Sequence, residues 1–225
     1  MLRVKDIREL FKESQRSAEY TEDRNGGSTI ELLGASFLAD EPAIFGSPNQ
    51  TYIQSEIDWY NSQSTNINDI YEDAKPPPAA WLRTANAHGE INSNYGHLIF
   101  SEKYFNQFTN AICELVANPD SRRAQMVYNR PSIWNEFDEN GKSDFICTNA
   151  QTMYIRDNKL HMVSQMRSND VYLGYRNDYA WAKYIMGRAV EHIEDYASVV
   201  LEVGDLHWQV MNMHLYEKHY HLIGA

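Results

Sequence analysis

The chain has 225 residues, long enough to bury one substantial core, and its 31 acidic against 20 basic side chains give a formal charge of −11. A surface that acidic repels a polyanionic backbone unless its basic groups cluster, which argues against non-specific nucleic-acid binding. Its two cysteines, Cys113 and Cys147, lack zinc-like or CxxC spacing, so a reducing compartment and no disulfide are expected.

The N-terminus "MLRVKDIRELFKESQR" is charged where a signal peptide would be apolar, and no segment approaches a membrane-spanning run. A cytoplasmic protein without membrane contact is the expectation. Leu2, Val4, Ile7, Leu10 and Phe11 recur at helical spacing, so residues 1–20 read as an N-terminal helix, followed by the turn-forming "TEDRNGGSTI". Thr29 to Leu38 is β-rich, and "ADEPAIFGSPNQ" breaks it. In "TYIQSEIDWYNSQS" the side chains of Ile53, Glu56, Ile57 and Tyr60 share one side of a predicted helix, which aims Glu56 inward among apolar neighbours. A buried acid needs a reason.

"KPPPAAW" reads as an extended surface connection, and "LIFSEKYFNQFTNAICELVANPDS" as one long amphipathic helix stopped by its Asn-Pro-Asp. "RAQMVYNR", "DFICTNAQTMYIRDNKLHMVSQMRS" and "MNMHLYEKHYHLI" read as strands, with "RDNK" as a hairpin turn, and "NDYAWAKYIMGRAVEHIEDYASVV" as a helix between them. This mixed order has no βαβ repeat and no Gly-rich phosphate loop. It predicts a single α+β domain.

Cys147 stands in the strand-like "SDFICTN" beside Thr148 and Asn149. A free cysteine is usually a small buried hydrophobe, the reading kept for Cys113 between Ile112 and Leu115. "EDRNGG", "DSRRAQ" and "MRSND" set arginines beside turns or hydroxyl residues, a chemistry suited to phosphate because guanidinium forks match its oxygens. His207, His214, His219 and His221 come without a cysteine motif or HExxH, and alternate strand residues face opposite ways, so no metal is expected.

Taken together, "DRNGGSTIELLGASFLADEPAIFG", "YIQSEIDWY", "GEINSNYG", "NPDSRR", "SDFICTN", "MRSNDVYLGYRNDYAW" and "MHLYEKHYHLI" resemble the thymidylate synthase superfamily, and within it the deoxycytidylate hydroxymethylase branch of T-even bacteriophages. The resemblance runs from about Arg24 to Ile223, in the family's order. It implies a mixed β-sheet flanked by helices in one domain over residues 1–225, with one sheet face forming a homodimer interface. It also implies dCMP as substrate and 5,10-methylenetetrahydrofolate as cosubstrate, with no metal. A phage-encoded chain would work in the host cytoplasm.

Carried onto these positions, the resemblance makes Cys147 the nucleophile at pyrimidine carbon 6. Arg24 and Arg167 would hold the nucleotide phosphate with Ser168 and Asn169 beside them, and Arg122 and Arg123 would reach it from the other subunit. His214 and Tyr216 would touch the deoxyribose, Glu56 would order water and move protons, and Trp81 and Tyr95 would surround the folate and the reacting carbon. Asp170 would be associated with folate. Thr148 follows the cysteine where thymidylate synthases have histidine, a departure shared with the hydroxymethylase branch.

Asp178 falls, counted from Asp170, where thymidylate synthases place the asparagine that pairs with the uracil edge. A carboxylate there would accept from the 4-amino group of cytosine and oppose the 4-carbonyl of uracil. The alternative is that Asp178 caps the helix that follows it. Two other readings of the whole chain stay open: a methylating relative acting on dCMP or dUMP, and a non-catalytic nucleotide-binding subunit kept for contacts with other nucleotide-synthesis enzymes.

Overall fold

The computed structural model describes residues 1–23, 26–71 and 74–224. Their packing forms two compact units, Met1–Pro48 with Met153–Ala225, and Asn49–Thr152. Arg24 lies outside the described residues.

The first unit begins with a two-residue strand, β1 (Leu2–Arg3), that passes into helix α1 (Val4–Arg16). Asp6 accepts from the Arg3 amide at 2.8 Å, and Asp40 accepts from the Val4 amide and the Arg3 guanidinium, so amides at the helix start are satisfied by carboxylates. Val4, Ile7 and Phe11 are fully buried, as their spacing predicts, against β3 (Ser28–Leu38), which the short β2 (Thr21–Glu22) flanks antiparallel.

The second unit opens with α2 (Gln50–Ser62), capped by Asn49, whose side chain accepts from the Tyr52 amide at 3.1 Å. Its buried face is Ile53, Glu56, Trp59 and Tyr60. Trp59 takes the place the sequence reading gave to Ile57, which is only half-buried. After the prolines comes the single-turn α3 (Ala79–Leu82).

The expected long helix over residues 98–121 is interrupted. It divides into α4 (Tyr95–Phe100), a 3-10 turn at Glu102–Tyr104 and α5 (Gln107–Ala117). Phe105 and Asn106 adopt positive φ at the break, Asn106 caps α5 through the Thr109 amide, and the Gln107 side chain donates to the Leu98 carbonyl. Local side-chain hydrogen bonds thus outcompete a continuous helix. Cys113 is exposed rather than buried, because the inward stripe of α5 is Phe108, Ala111, Ile112 and Leu115 and residue 113 falls off it. The unit closes with β4 (Gln125–Val127), the short helix α6 (Ile133–Glu136) and the start of β5 (Thr148–Arg156), which pairs with β4 antiparallel.

β5 runs on into the first unit, where Asp157 and Asn158, both at positive φ, make the expected tight turn into β6 (Lys159–Asp170). Helix α7 (Gly174–Ala197) follows, burying Tyr175, Trp181, Ile185, Met186, Ala189 and Ile193, and β7 (Glu202–Tyr216) completes the sheet. In this unit the strand order is β1-β3-β7-β6-β5, with β1 parallel to β3, β6 parallel to β7 and β3 antiparallel to β7. The sheet is mixed, as expected. The C-terminal strand starts some nine residues before the predicted one and ends at Tyr216. Residues 217–222 form a 3-10 turn instead, pinned where Tyr220 meets the Ser28 hydroxyl and stacks on Tyr20.

The inward set changes phase along one line across this sheet. Leu206, Trp208 and Val210 are buried before it on β7 and Met213 and Leu215 after it. β6 shifts likewise between Met166 and Asn169, and β3 shifts between Ile30 and Phe37, with Gly34 between them at φ +70°. Because the side-chain period of a strand is two, such a shift turns Asn169 to the core side and Asp170 away from it.

Candidate active site

Glu56 is the buried acid of the second unit, at 6% exposure. Tyr52, one helical turn earlier on α2, donates its hydroxyl to Glu56 Oε1. The Trp81 Nε1–H donates to the Tyr52 oxygen at 2.9 Å and lies 3.3 Å from the same Oε1. Burial pushes the Glu56 carboxyl up to about 7, although both donors favour its anion. The Trp81 ring is half-buried and packs edge-on against Trp59.

Tyr95 is buried, stacked on Tyr60 at 5.2 Å and edge-on to Tyr128. Its neighbour Gly96 makes that possible, since a Cβ there would lie 1.8 Å from the Tyr60 carbonyl oxygen. No larger residue lets α4 cross α2 so closely.

Cys147 sits one residue before β5, in an irregular segment rather than within the strand. Ile146 and Thr148 are buried on either side, so alternation turns the half-buried thiol the other way, and its Sγ lies 3.9 Å from the Phe145 carbonyl. The segment is moored by Asp144, whose carboxylate accepts from the Asn92 amide at 2.6 Å and from the Ser93 amide and hydroxyl at 2.7 Å each. Burial raises the Asp144 carboxyl, against those donors and Lys142.

Arg122 and Arg123 lie exposed on the turn before β4. Arg123 is committed to Glu114, with Nη2 at 2.9 Å and Nε at 3.1 Å from one carboxylate oxygen that Ser121 also reaches at 2.6 Å. Arg122 has no hydrogen bond or ion pair among the described residues.

In the first unit Arg167, Ser168, Asn169 and Asp170 occupy successive positions at the end of β6, with Asp170 paired to His214 on β7. Burial lowers the His214 imidazole, Asp170 and Glu31 oppose that, and Arg167 adds to it. His214 and Tyr216 meet ring to ring at 5.0 Å.

Asp170 Oδ1 accepts from the Tyr172 and Leu173 amides at 2.7 and 3.0 Å, so it caps the turn into α7. Asp178 does not: α7 begins at Gly174, which places Asp178 a full turn inside the helix and rules out the capping alternative. Asp178 Oδ2 instead accepts from Asn169 Nδ2 at 2.7 Å. Gly174 permits this approach, since a Cβ there would stand 3.0 Å from Asn169 Nδ2 and 3.6 Å from Asp178 Oδ2. Asn169 is 3% exposed, and its Oδ1 is buried with no partner among the described residues.

The expected residues therefore gather as two sets within their own units. Glu56 and Trp81 are joined directly, as are Asn169 and Asp178, and Asp170 and Arg167 both act on the His214 imidazole. Tyr52 and Asp144 escaped the sequence reading. The i, i+4 spacing of Tyr52 and Glu56 on one helix is the signal that could have found the first. A different histidine group is assembled by the fold: His161, Asp205 and His207 bring ligand-type atoms within 4.8 Å of one another. His161 Nδ1 there accepts the Asp205 amide at 3.0 Å, so a neutral imidazole carries its proton on Nε2. No helix among the described residues is long and apolar enough to cross a membrane.

The thymidylate synthase family model matches residues 7–224. The chain is 42% identical over 221 residues to the deoxycytidylate 5-hydroxymethyltransferases of Enterobacteria phages T4 and T2, covering 98% of this chain and 89% of each relative. It is 26% identical to the thymidylate synthase of Buchnera aphidicola subsp. Acyrthosiphon pisum (strain APS), over 97% of this chain and 81% of that one. The crystal structure of thymidylate synthase from T4 phage superposes with a TM-score of 0.73 at 22% identity, covering 96% of this chain and 77% of that one, a likeness of fold. The fold, the order of the motifs and these relatives agree, and the chain belongs to the thymidylate synthase family.

Proposed function

We propose that the chain is a folate-dependent deoxycytidylate 5-hydroxymethyltransferase. Asp178 carries this reading: a carboxylate held by Asn169 in a chain 42% identical to phage enzymes of that name. Facing cytosine it accepts from the 4-amino group, and facing uracil it sets acceptor against acceptor.

In this reading Cys147 adds its thiolate to carbon 6 of dCMP, which makes carbon 5 electron-rich. 5,10-Methylenetetrahydrofolate supplies the one-carbon unit when bound. The half-buried Trp81 ring offers a stacking surface suited to a flat heterocycle, and Asp170 offers its second carboxylate oxygen, the first being spent on the turn before α7. Glu56 takes a proton from the water that becomes the hydroxyl. A midpoint of about 7 suits it to accept and return that proton near neutrality. Arg167, with Ser168 and Asn169, holds the phosphate, which Arg122 and Arg123 reach from a second copy of the chain, and His214 and Tyr216 bind the sugar.

The reading also makes the protein a homodimer. Leu33 on β3 and Met211 on β7 are 76% and 51% exposed, although β7 is an interior strand of its sheet. An interior strand with an uncovered apolar side chain fits a face that a second copy covers.

Incubation with dCMP and 5,10-methylenetetrahydrofolate, followed by mass analysis of the nucleotide, tests the activity. A hydroxymethyl increment is the expected product; a methyl increment would move the chain to the methylating branch.

A further inference from the structure

The two oxygens of Glu56 are not equivalent. Oε1 faces both the Tyr52 hydroxyl and the Trp81 Nε1–H, and Trp81 also holds the Tyr52 oxygen at 2.9 Å, so the three groups form a closed triangle. Oε2 takes no hydrogen bond from any described residue. Tyr52 itself is fixed twice, by its place one turn before Glu56 and by Asn49, which accepts its amide.

From this geometry we infer that Tyr52 is a positioning residue for the hydration step: with Trp81 it commits Oε1 of Glu56 and so leaves Oε2 as the oxygen that takes the proton from water. The inference rests on the hydroxymethyltransferase reading and adds to it the residue that orients the base. A carboxylate free to rotate would share its basicity between two directions and lose the fixed approach that proton transfer needs.

The surroundings support a hydrogen-bond donor in this role. Burial, then Glu56 itself, drives the Tyr52 phenol far above its ordinary range, so its O–H stays protonated and keeps donating at any working pH. Among the described residues the other groups facing the pair are Trp81 from α3 and Tyr71 from the 3-10 turn at Ile67–Tyr71, whose phenol burial and Glu56 also raise. The Lys75 ammonium lies over the Tyr71 ring at 3.9 Å from its centroid.

The test is Tyr52→Phe in the full chain, which keeps the ring and removes only the hydroxyl. Two readouts are needed: the pH dependence of hydroxymethyl product formation, and the carbon-13 titration of the Glu56 carboxyl without nucleotide. Loss of the donor disfavours the anion, so the Glu56 midpoint and the acid limb of kcat should both move up by about one pH unit. Product kcat should fall about tenfold while the KM for dCMP stays within about twofold. Trp81→Phe should move the midpoint the same way.

An unmoved carboxyl midpoint, or a loss of rate that is equal at every pH, would show that Tyr52 only packs against α2 and would overturn the inference. Wild-type protein that forms no product would overturn the functional reading, and the carboxyl titration would still decide whether Tyr52 tunes Glu56.

Discussion

Asn169, near the end of β6, donates its Nδ2 to Asp178 Oδ2 on α7 at 2.7 Å, beside Gly174, where a Cβ would stand only 3.0 Å from the same Nδ2. The bond fixes the Asp178 carboxylate near the start of α7, and that carboxylate is the candidate reader of the pyrimidine.

Asp178→Asn should therefore reverse base choice. An amide presents an N–H where the carboxylate presented an acceptor, so kcat/KM for dCMP should drop by roughly 10²–10⁴-fold and turnover of carbon 5 in dUMP should appear. Steady-state kinetics with both nucleotides checks this. Equal losses on dCMP and dUMP would mean that Asp178 supports the fold rather than the choice.

Glu56 gives a prediction in stability as well as rate. Its folded carboxyl, raised to about 7 from an ordinary 4.5, binds a proton more tightly than in the unfolded chain. The stability it contributes is complete below about pH 4.5 and is lost as pH rises through 7, a difference of about 3 kcal/mol. Glu56→Gln should thus be more stable than the wild type at pH 8 and lose that advantage toward pH 5, while product formation falls by about 10²-fold or more. Urea melts at the two pH values measure the first, and product mass the second.

The paired arginines should not behave alike. Arg123 already spends its guanidinium on Glu114, whereas Arg122 has no partner among the described residues. Arg122→Ala should raise the KM for dCMP about tenfold, with the effect shrinking at high salt, and Arg123→Ala should raise it less. Equal effects would mean that Glu114 releases Arg123 when nucleotide binds.

Assembly is open to a direct check by light scattering. A charge placed on the uncovered strand face, as in Met211→Glu, should convert a dimer to monomer, since burying an unpaired carboxylate in an apolar contact is unfavourable. A wild-type monomer would contradict the proposed dimer.

How far the sequence reading reached depended on the kind of signal. The inward aim of Glu56 and the "RDNK" turn follow from periodicity and turn chemistry and stand as read, whereas of the apolar set read at the N-terminus Val4, Ile7 and Phe11 are buried and Leu2 and Leu10 are exposed. The break at Phe105–Asn106 was hidden because its cause is a set of side-chain hydrogen bonds in a stretch whose apolar spacing suits a helix. The start of the long C-terminal strand is not legible because Glu202, Val203 and Asp205 are exposed around Gly204, so alternation begins only at Leu206. In the candidate site, single residues were named from motifs, but their partnerships were not. No sequence motif marks Asp144 as a mooring group, and only the fold brings it to the Asn92 and Ser93 amides. The capping alternative for Asp178 arose because α7 starts three residues earlier than the sequence suggests, at Gly174 rather than Asn177.

The most direct test of the account uses dCMP and dUMP, each tritiated at carbon 5, with and without 5,10-methylenetetrahydrofolate, in wild-type protein and in Cys147→Ser. The account predicts folate-dependent tritium release from dCMP, little from dUMP, none from Cys147→Ser with either, and a hydroxymethylated nucleotide as product. Release from dUMP in preference to dCMP, or release that survives the loss of the Cys147 thiol, would contradict it.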